Sequence, residues 1–250
     1  MVVTDQRPQR AGLGRDLRRA ARQLAAVSVP AAILGVVVGG VGGRVAMALL
    51  FATNQETKGA VSDDGFTIGQ FTLSGTMNLL GTGVQLGLTA AVCYLALRGL
   101  LIGPRWFQVA SMAVGAGVVV AAIIVAPDGI DFTAFDPPLL PVGMFILLPV
   151  LYVALLALVA ERCLADDSWF ATADLRIVLV LGGLCWLAGG LIVIVLPIVA
   201  AVWLAWRWFT QRGVVERLNW PAVGWVFRGF LAALFALAVS NLLSDVQAIT

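Results

Sequence analysis

VSVPAAILGVVVGGVGGRVAMALLF, residues 27–51, carries a single charge, Arg44, in twenty-five positions. At 1.5 Å of rise per residue a helix of this length spans about 37 Å, enough to cross a hydrocarbon core of roughly 30 Å. Pro30 stands near the start, where a helix tolerates proline. A cleaved signal peptide has a shorter apolar region, about 7–15 residues, and a small-residue cleavage site. The stretch therefore reads as a retained first transmembrane helix.

Runs of the same kind lie at 76–97, 107–126, 139–160 and 224–243, where Arg228 is the only charge among them. Of the 250 residues, 60% are hydrophobic and 12% charged, and the mean hydropathy is +0.97. A soluble domain is typically about 45–50% apolar and about 25% charged, so this chain lacks the charge to coat a soluble globule. The expected fold is all-α, a polytopic transmembrane helix bundle at 27–243. A basic segment (1–26) precedes it and a short tail (244–250) follows.

The basic segment holds Arg7, Arg10, Arg15, Arg18, Arg19 and Arg22. Leu13, Leu17, Ala20, Ala21 and Leu24 recur at helical spacing beside them. Such a stripe suits an amphipathic helix lying on an anionic membrane surface. A solvated tail that only sets orientation fits the same charges.

Residues 177–206 are thirty positions without a charge. As one helix they would be about 45 Å long; as two, each would fall below the usual ~17–25 residues. Charge decides between them. With two helices, hence seven spans and a cytoplasmic N-terminus, the inner side holds the six N-terminal arginines, Arg98, Arg105, Arg162, Arg176, Arg207, Arg212, Arg217 and Arg228. Arg44 and Lys58 alone are left outside. One helix, giving six spans, moves Arg207, Arg212, Arg217 and Arg228 outside and weakens the bias that orients membrane proteins. Seven tryptophans, all but Trp186, then also fall near inner helix ends. Seven spans are expected, with a turn at Gly189–Gly190 and the C-terminus outside.

The outer loops are then 52–75 and 127–138, both acidic on balance. Residues 62–76 mix Phe66, Phe71, Thr67, Thr72 and glycines, which suits either a capping loop or a segment dipping into the outer leaflet. The latter is allowed only where protein or water satisfies its backbone.

Gly35, Gly39 and Gly43 are spaced four apart, and Gly83 and Gly87 repeat the step in the second run. Small residues so placed let another backbone approach closely. They would serve packing within the bundle, homodimerisation or a substrate path. The run Gly39-Gly40-Val41-Gly42-Gly43 lacks the Lys-Ser/Thr ending of a phosphate loop, so nucleotide binding is excluded there. Arg44 lies about 21 Å along the helix from Pro30, in the outer third of the membrane. It either snorkels to the interface or pairs with Asp63 or Asp64 of the turn-like Ser62-Asp63-Asp64-Gly65, pinning the loop over an outward polar pocket.

Gly42-Gly43-Arg44-Val45-Ala46-Met47, Ser62-Asp63-Asp64-Gly65 and Phe71-Thr72 resemble the pattern of a family of uncharacterised bacterial polytopic membrane proteins. The resemblance covers the first two spans and their loop, roughly a third of the chain by the extent of those motifs. It implies a multi-pass protein of the cytoplasmic membrane and carries no activity with it.

Other chemistry is thin. Histidine is absent, and Cys93, Cys163 and Cys185 lie far apart, so no zinc site or disulfide framework is expected. No segment could form the basic face that nucleic acid requires. The adjacent acids, Asp63–Asp64 and Asp166–Asp167, lack a nucleophile–base set, so no cofactor and no enzyme activity is expected. Proton- or ion-coupled carriers usually place carboxylates or histidines deep in the bundle; here Asn78, Gln85, Ser111 and Asn241 supply neutral groups only. The leading reading is a membrane-embedded binding or assembly subunit, meeting the lipid bilayer and either a partner or its own copies. The alternative is a facilitator for a small solute entering near Arg44.

Overall fold

A computed structural model describes residues 8–63, 65–190 and 220–249. Their regular structure is helical, with one isolated antiparallel bridge between Val61 and Thr67. The chain is an all-α helical bundle, and five of its helices are long and apolar enough to cross a membrane.

The first helix, α1 (Pro8–Leu34), runs unbroken through a π-helical stretch (Gly35–Gly42) into α2 (Gly43–Thr53). The expected boundary at residue 26 is therefore not a structural one. From Pro8 onward no helix breaker separates the arginines from the apolar run, and the described part of the basic segment, 8–26, belongs to the same helix. After the first loop come α3 (Leu73–Leu97) and α4 (Arg105–Ile124). A one-turn α5 (Ile130–Thr133) leads to α6 (Leu139–Cys163), and a second short helix, α7 (Trp169–Thr172), to α8 (Leu175–Ala188). The last described helix is α9 (Trp220–Ile249). The second half of the uncharged 177–206 stretch lies outside the described residues.

Why these segments are helices follows from their solvent. In hydrocarbon every backbone N–H and C=O must be satisfied within the segment, and the short polar stretches between apolar runs supply the ends. Thr72 caps α3 by accepting from the Gly75 N–H at 3.2 Å, and Asp174 caps α8 through the Arg176 N–H at 2.9 Å. At the far end of α8, Gly190 adopts φ +67°. This left-handed turn closes the helix through Gly189 N–H to Cys185 O and Gly190 N–H to Leu187 O, each 3.0 Å.

The core is built largely from small residues, as expected where lipid is as apolar as the helices. Val27, Ala31, Ala91, Ala113, Leu156, Ala157 and Ala160 join α1, α3, α4 and α6. Ala121, Val125, Phe132, Val142 and Leu242 join the end of α9 to α4, α5 and α6. Ala32, Leu88 and Trp186 seat α8 against α1 and α3. Buried Trp186 also donates its indole N–H to Ser28 Oγ at 3.0 Å, and Ser28 donates on to Leu24 O at 2.7 Å.

The bundle has two distinct ends. At one, which we call the arginine end, α3 stops and α4 starts, α6 stops and α8 starts. Arg22 reaches the Phe170 carbonyl there at 3.1 Å, and Arg228 near the start of α9 donates to Leu100 O at 2.8 Å. At the opposite, loop end lie the first loop, α5 and the C-terminal part of α9. The helix α8 rises from the arginine end but stops at mid-depth: a Cβ on Gly189 would sit 2.8 Å from Leu88 and 3.5 Å from Val84, halfway along α3.

Candidate functional site

The glycines singled out by their spacing meet one another. A Cβ on Gly35 would run into the Gly83 carbonyl, and one on Gly83 into that of Gly35. A Cβ on Gly39 would lie 3.1 Å from Gly83 Cα, one on Gly87 2.6 Å from Ala31 O, and one on Gly43 3.3 Å from a Leu79 methyl. Tyr152 of α6 completes the seam: its buried hydroxyl donates to the carbonyls of Ala31 (3.0 Å) and Gly87 (3.1 Å). All five glycines are thus engaged in packing α1, the π-helical stretch and α2 against α3. The π winding contributes directly, because i→i+5 bonding keeps residues four and five apart on one face.

At the loop end Asp63 is not paired with Arg44. Asp63 accepts from the Ile130 and Asp131 N–H groups, each at 3.1 Å, capping α5 with both carboxylate oxygens. Arg44 instead lies under Phe71, with its guanidinium carbon 5.1 Å from the ring centroid, and its Nη2 fills the space left by Gly75. Its Nε is buried without a hydrogen-bond partner. Asp64 lies outside the described residues. The first loop folds as a hairpin: Ser62 N–H bonds Phe66 O at 2.8 Å and Ile68 N–H bonds Ala60 O at 2.8 Å. Buried Asn54, unremarked in the sequence, accepts from the Asp136 N–H at 2.7 Å. Asn54 and Asp63 together clamp the two loops to each other.

The arginine end holds a site that spacing did not reveal. Glu161 on the last turn of α6 accepts a short hydrogen bond from Tyr94 Oη and pairs with Arg98 Nη2 at 3.5 Å. These groups, with Leu101, Arg105, Gln108, Val109, Met112 and Ala157, line a cavity of ≈ 260 Å³ between α3, α4 and α6. Arg105 forms no ion pair among the described residues. The available sequence signal was Glu161 itself, a carboxylate directly after an uncharged span and on the same side as Arg98 and Arg105.

On α3 a third feature faces outward. Asn78, Thr82, Gln85 and Thr89 are all exposed and form one ridge along the helix, with Cys93 one turn further. Thr89 bonds back to Gln85 O at 2.9 Å. Among the described residues the amides of Asn78 and Gln85 make no side-chain hydrogen bond. Consistently, α3 is the least apolar of the five long helices.

Among the described residues no group of three or more His, Cys, Asp or Glu side chains could hold a metal ion. No family model matches the chain, and no curated protein or solved structure is similar to it.

Proposed function

We propose that the protein is a non-catalytic assembly subunit of the cytoplasmic membrane, and that it self-associates through the polar ridge of α3. Its N-terminus is cytoplasmic, so the arginine end faces the cytoplasm, in keeping with the bias of arginine to that side.

The observation that carries this reading is the pair of amides, Asn78 and Gln85, exposed and without a side-chain hydrogen bond among the described residues, on a helix long enough to cross the membrane. In hydrocarbon an unsatisfied amide is costly, and a hydrogen bond between helices recovers about 0.6–2 kcal/mol. Copies of one membrane protein share an orientation, so a two-fold axis between them runs along the membrane normal. Each ridge residue then faces its own counterpart. An amide carries both donor and acceptor, so Gln85 can pair reciprocally with Gln85 of a second copy. The packing glycines Gly35, Gly39, Gly43, Gly83 and Gly87 are engaged inside the bundle, which leaves the ridge rather than the glycine seam as the assembly face.

The sidedness of the C-terminal half follows from the same frame. The end of α6 and the start of α9 both lie at the arginine end, which supports an even number of passages between them, as in the seven-span arrangement. The first of those passages, α8, is short.

Cross-linking tests the assembly face. In a chain with Cys93, Cys163 and Cys185 replaced by Ser, Thr82→Cys is expected to form a disulfide dimer when oxidised in vesicles. Ile123→Cys, exposed on α4, is expected to stay monomeric. Adding Asn78→Leu and Gln85→Leu should abolish the Thr82→Cys dimer. Equal cross-linking at Ile123 would mark random collision and end the proposal.

A further inference from the structure

The cavity at the arginine end is not used by the assembly reading, and its chemistry points to a ligand. We propose that it binds the phosphate of an anionic lipid headgroup, with Arg105 as the principal contact.

The charges favour an anion. Arg98 and Arg105 bring two guanidinium groups to the cavity and Glu161 one carboxylate. That carboxylate is already held by Tyr94 Oη and Arg98, so Arg105 contributes a cation with no counter-ion among the described residues. A guanidinium offers a planar fork of donors that matches phosphate oxygens. The amide nitrogen of Gln108 is committed to Gly103 O at 2.8 Å, which fixes the turn leading into α4 beside Arg105.

Position and shape favour a lipid. The cavity opens between the ends of three helices, level with the headgroup region in any arrangement that buries α3, α4 and α6. Its remaining walls, Leu101, Val109, Met112 and Ala157, are apolar, so the site pairs a charged rim with a lining suited to the upper part of an acyl chain. Basic pockets between transmembrane helices on the cytoplasmic side are a recognised setting for anionic headgroups. The cytoplasmic placement rests on the orientation proposed above; the cavity itself does not depend on self-association.

The full chain in a zwitterionic detergent provides the test, with thermal unfolding read while lipid is added. Phosphatidylglycerol should raise the midpoint saturably, and phosphatidylcholine should not. Arg105→Gln should weaken half-saturation about tenfold, as expected when one charge-assisted contact is lost, and Arg105→Lys should restore much of it. Arg176→Gln, an exposed change at the same end, should leave the midpoint shift intact. If inorganic phosphate alone reproduces a shift that depends on Arg105, the same anion site is confirmed with a soluble source. Equal losses from Arg105→Gln and Arg176→Gln, or no shift with either probe, would overturn the proposal. Because the α3 ridge is untouched, the Thr82→Cys cross-link should persist in Arg105→Gln, so the two proposals fail separately.

Discussion

Arg44 and Asp63 show how far a residue's role depends on what the rest of the chain brings to it. Both stand where an ion pair would be natural, and Gly65 takes φ +79° with its N–H bonded to Ser62 O at 2.9 Å. Yet Asp63 accepts from Ile130 and Asp131, 67 and 68 positions away in sequence. Nothing local to either segment states that the two loops will dock. Arg44 meets Phe71 and Gly75 instead, contacts that only helix register decides. A charge exchange therefore has a definite outcome. Arg44→Asp and Asp63→Arg should each destabilise, the latter by about 1 kcal/mol for the lost cap, and the double exchange should show no rescue in thermal unfolding. A double variant more stable than either single one would restore the ion pair and refute the capping role.

At the scale of elements, the apolar runs translated into helices almost directly, since a bilayer leaves the backbone little alternative. The glycine seam was legible for the same kind of reason: spacing by four marks a smooth face whatever lies opposite. What it lies against was not legible, and neither was the π winding of Gly35–Gly42, because a run of small apolar residues is compatible with either hydrogen-bond pattern. The cavity around Glu161 was missed for a different reason. Its residues come from three helix ends, and only the bundle brings Tyr94, Arg105 and Glu161 together. The seam supports a contrast within one helix. Gly83→Ala places a methyl against the Gly35 backbone, while Gly81→Ala meets nothing within 4 Å. Gly83→Ala should cost about 1–3 kcal/mol, the usual range for overpacking, and lower the unfolding midpoint in detergent. Gly81→Ala should match the parent or exceed it slightly, since alanine favours helix. Similar losses at both positions would show that the π-helical stretch and α3 do not pack through Gly83.

For the whole molecule, the sense of the last helix constrains everything before it. Arg228 near the start of α9 holds the Leu100 carbonyl at the arginine end, and Leu242 near its finish packs with Ala121, Val125 and Val142 at the loop end. So α9 runs parallel to α4, and among the described residues the end of α6 and the start of α9 share the arginine end. The proposed seven-span arrangement makes α8 the entering limb, and α8 ends in a left-handed glycine beside Gln85, where a Cβ on Gly190 would lie 3.8 Å from the Gln85 amide nitrogen. Single cysteines in a cysteine-free chain, probed with a membrane-impermeant thiol reagent in intact and permeabilised cells, test this parity. Gln211→Cys and Asp167→Cys should react only after permeabilisation, Gly59→Cys in intact cells, and Gly189→Cys from neither side, because its turn is held at mid-depth against Leu88. If Gln211→Cys labels in intact cells alongside Gly59→Cys, the stretch crosses once, and α9 cannot hold both Leu100 and the loop-end cluster.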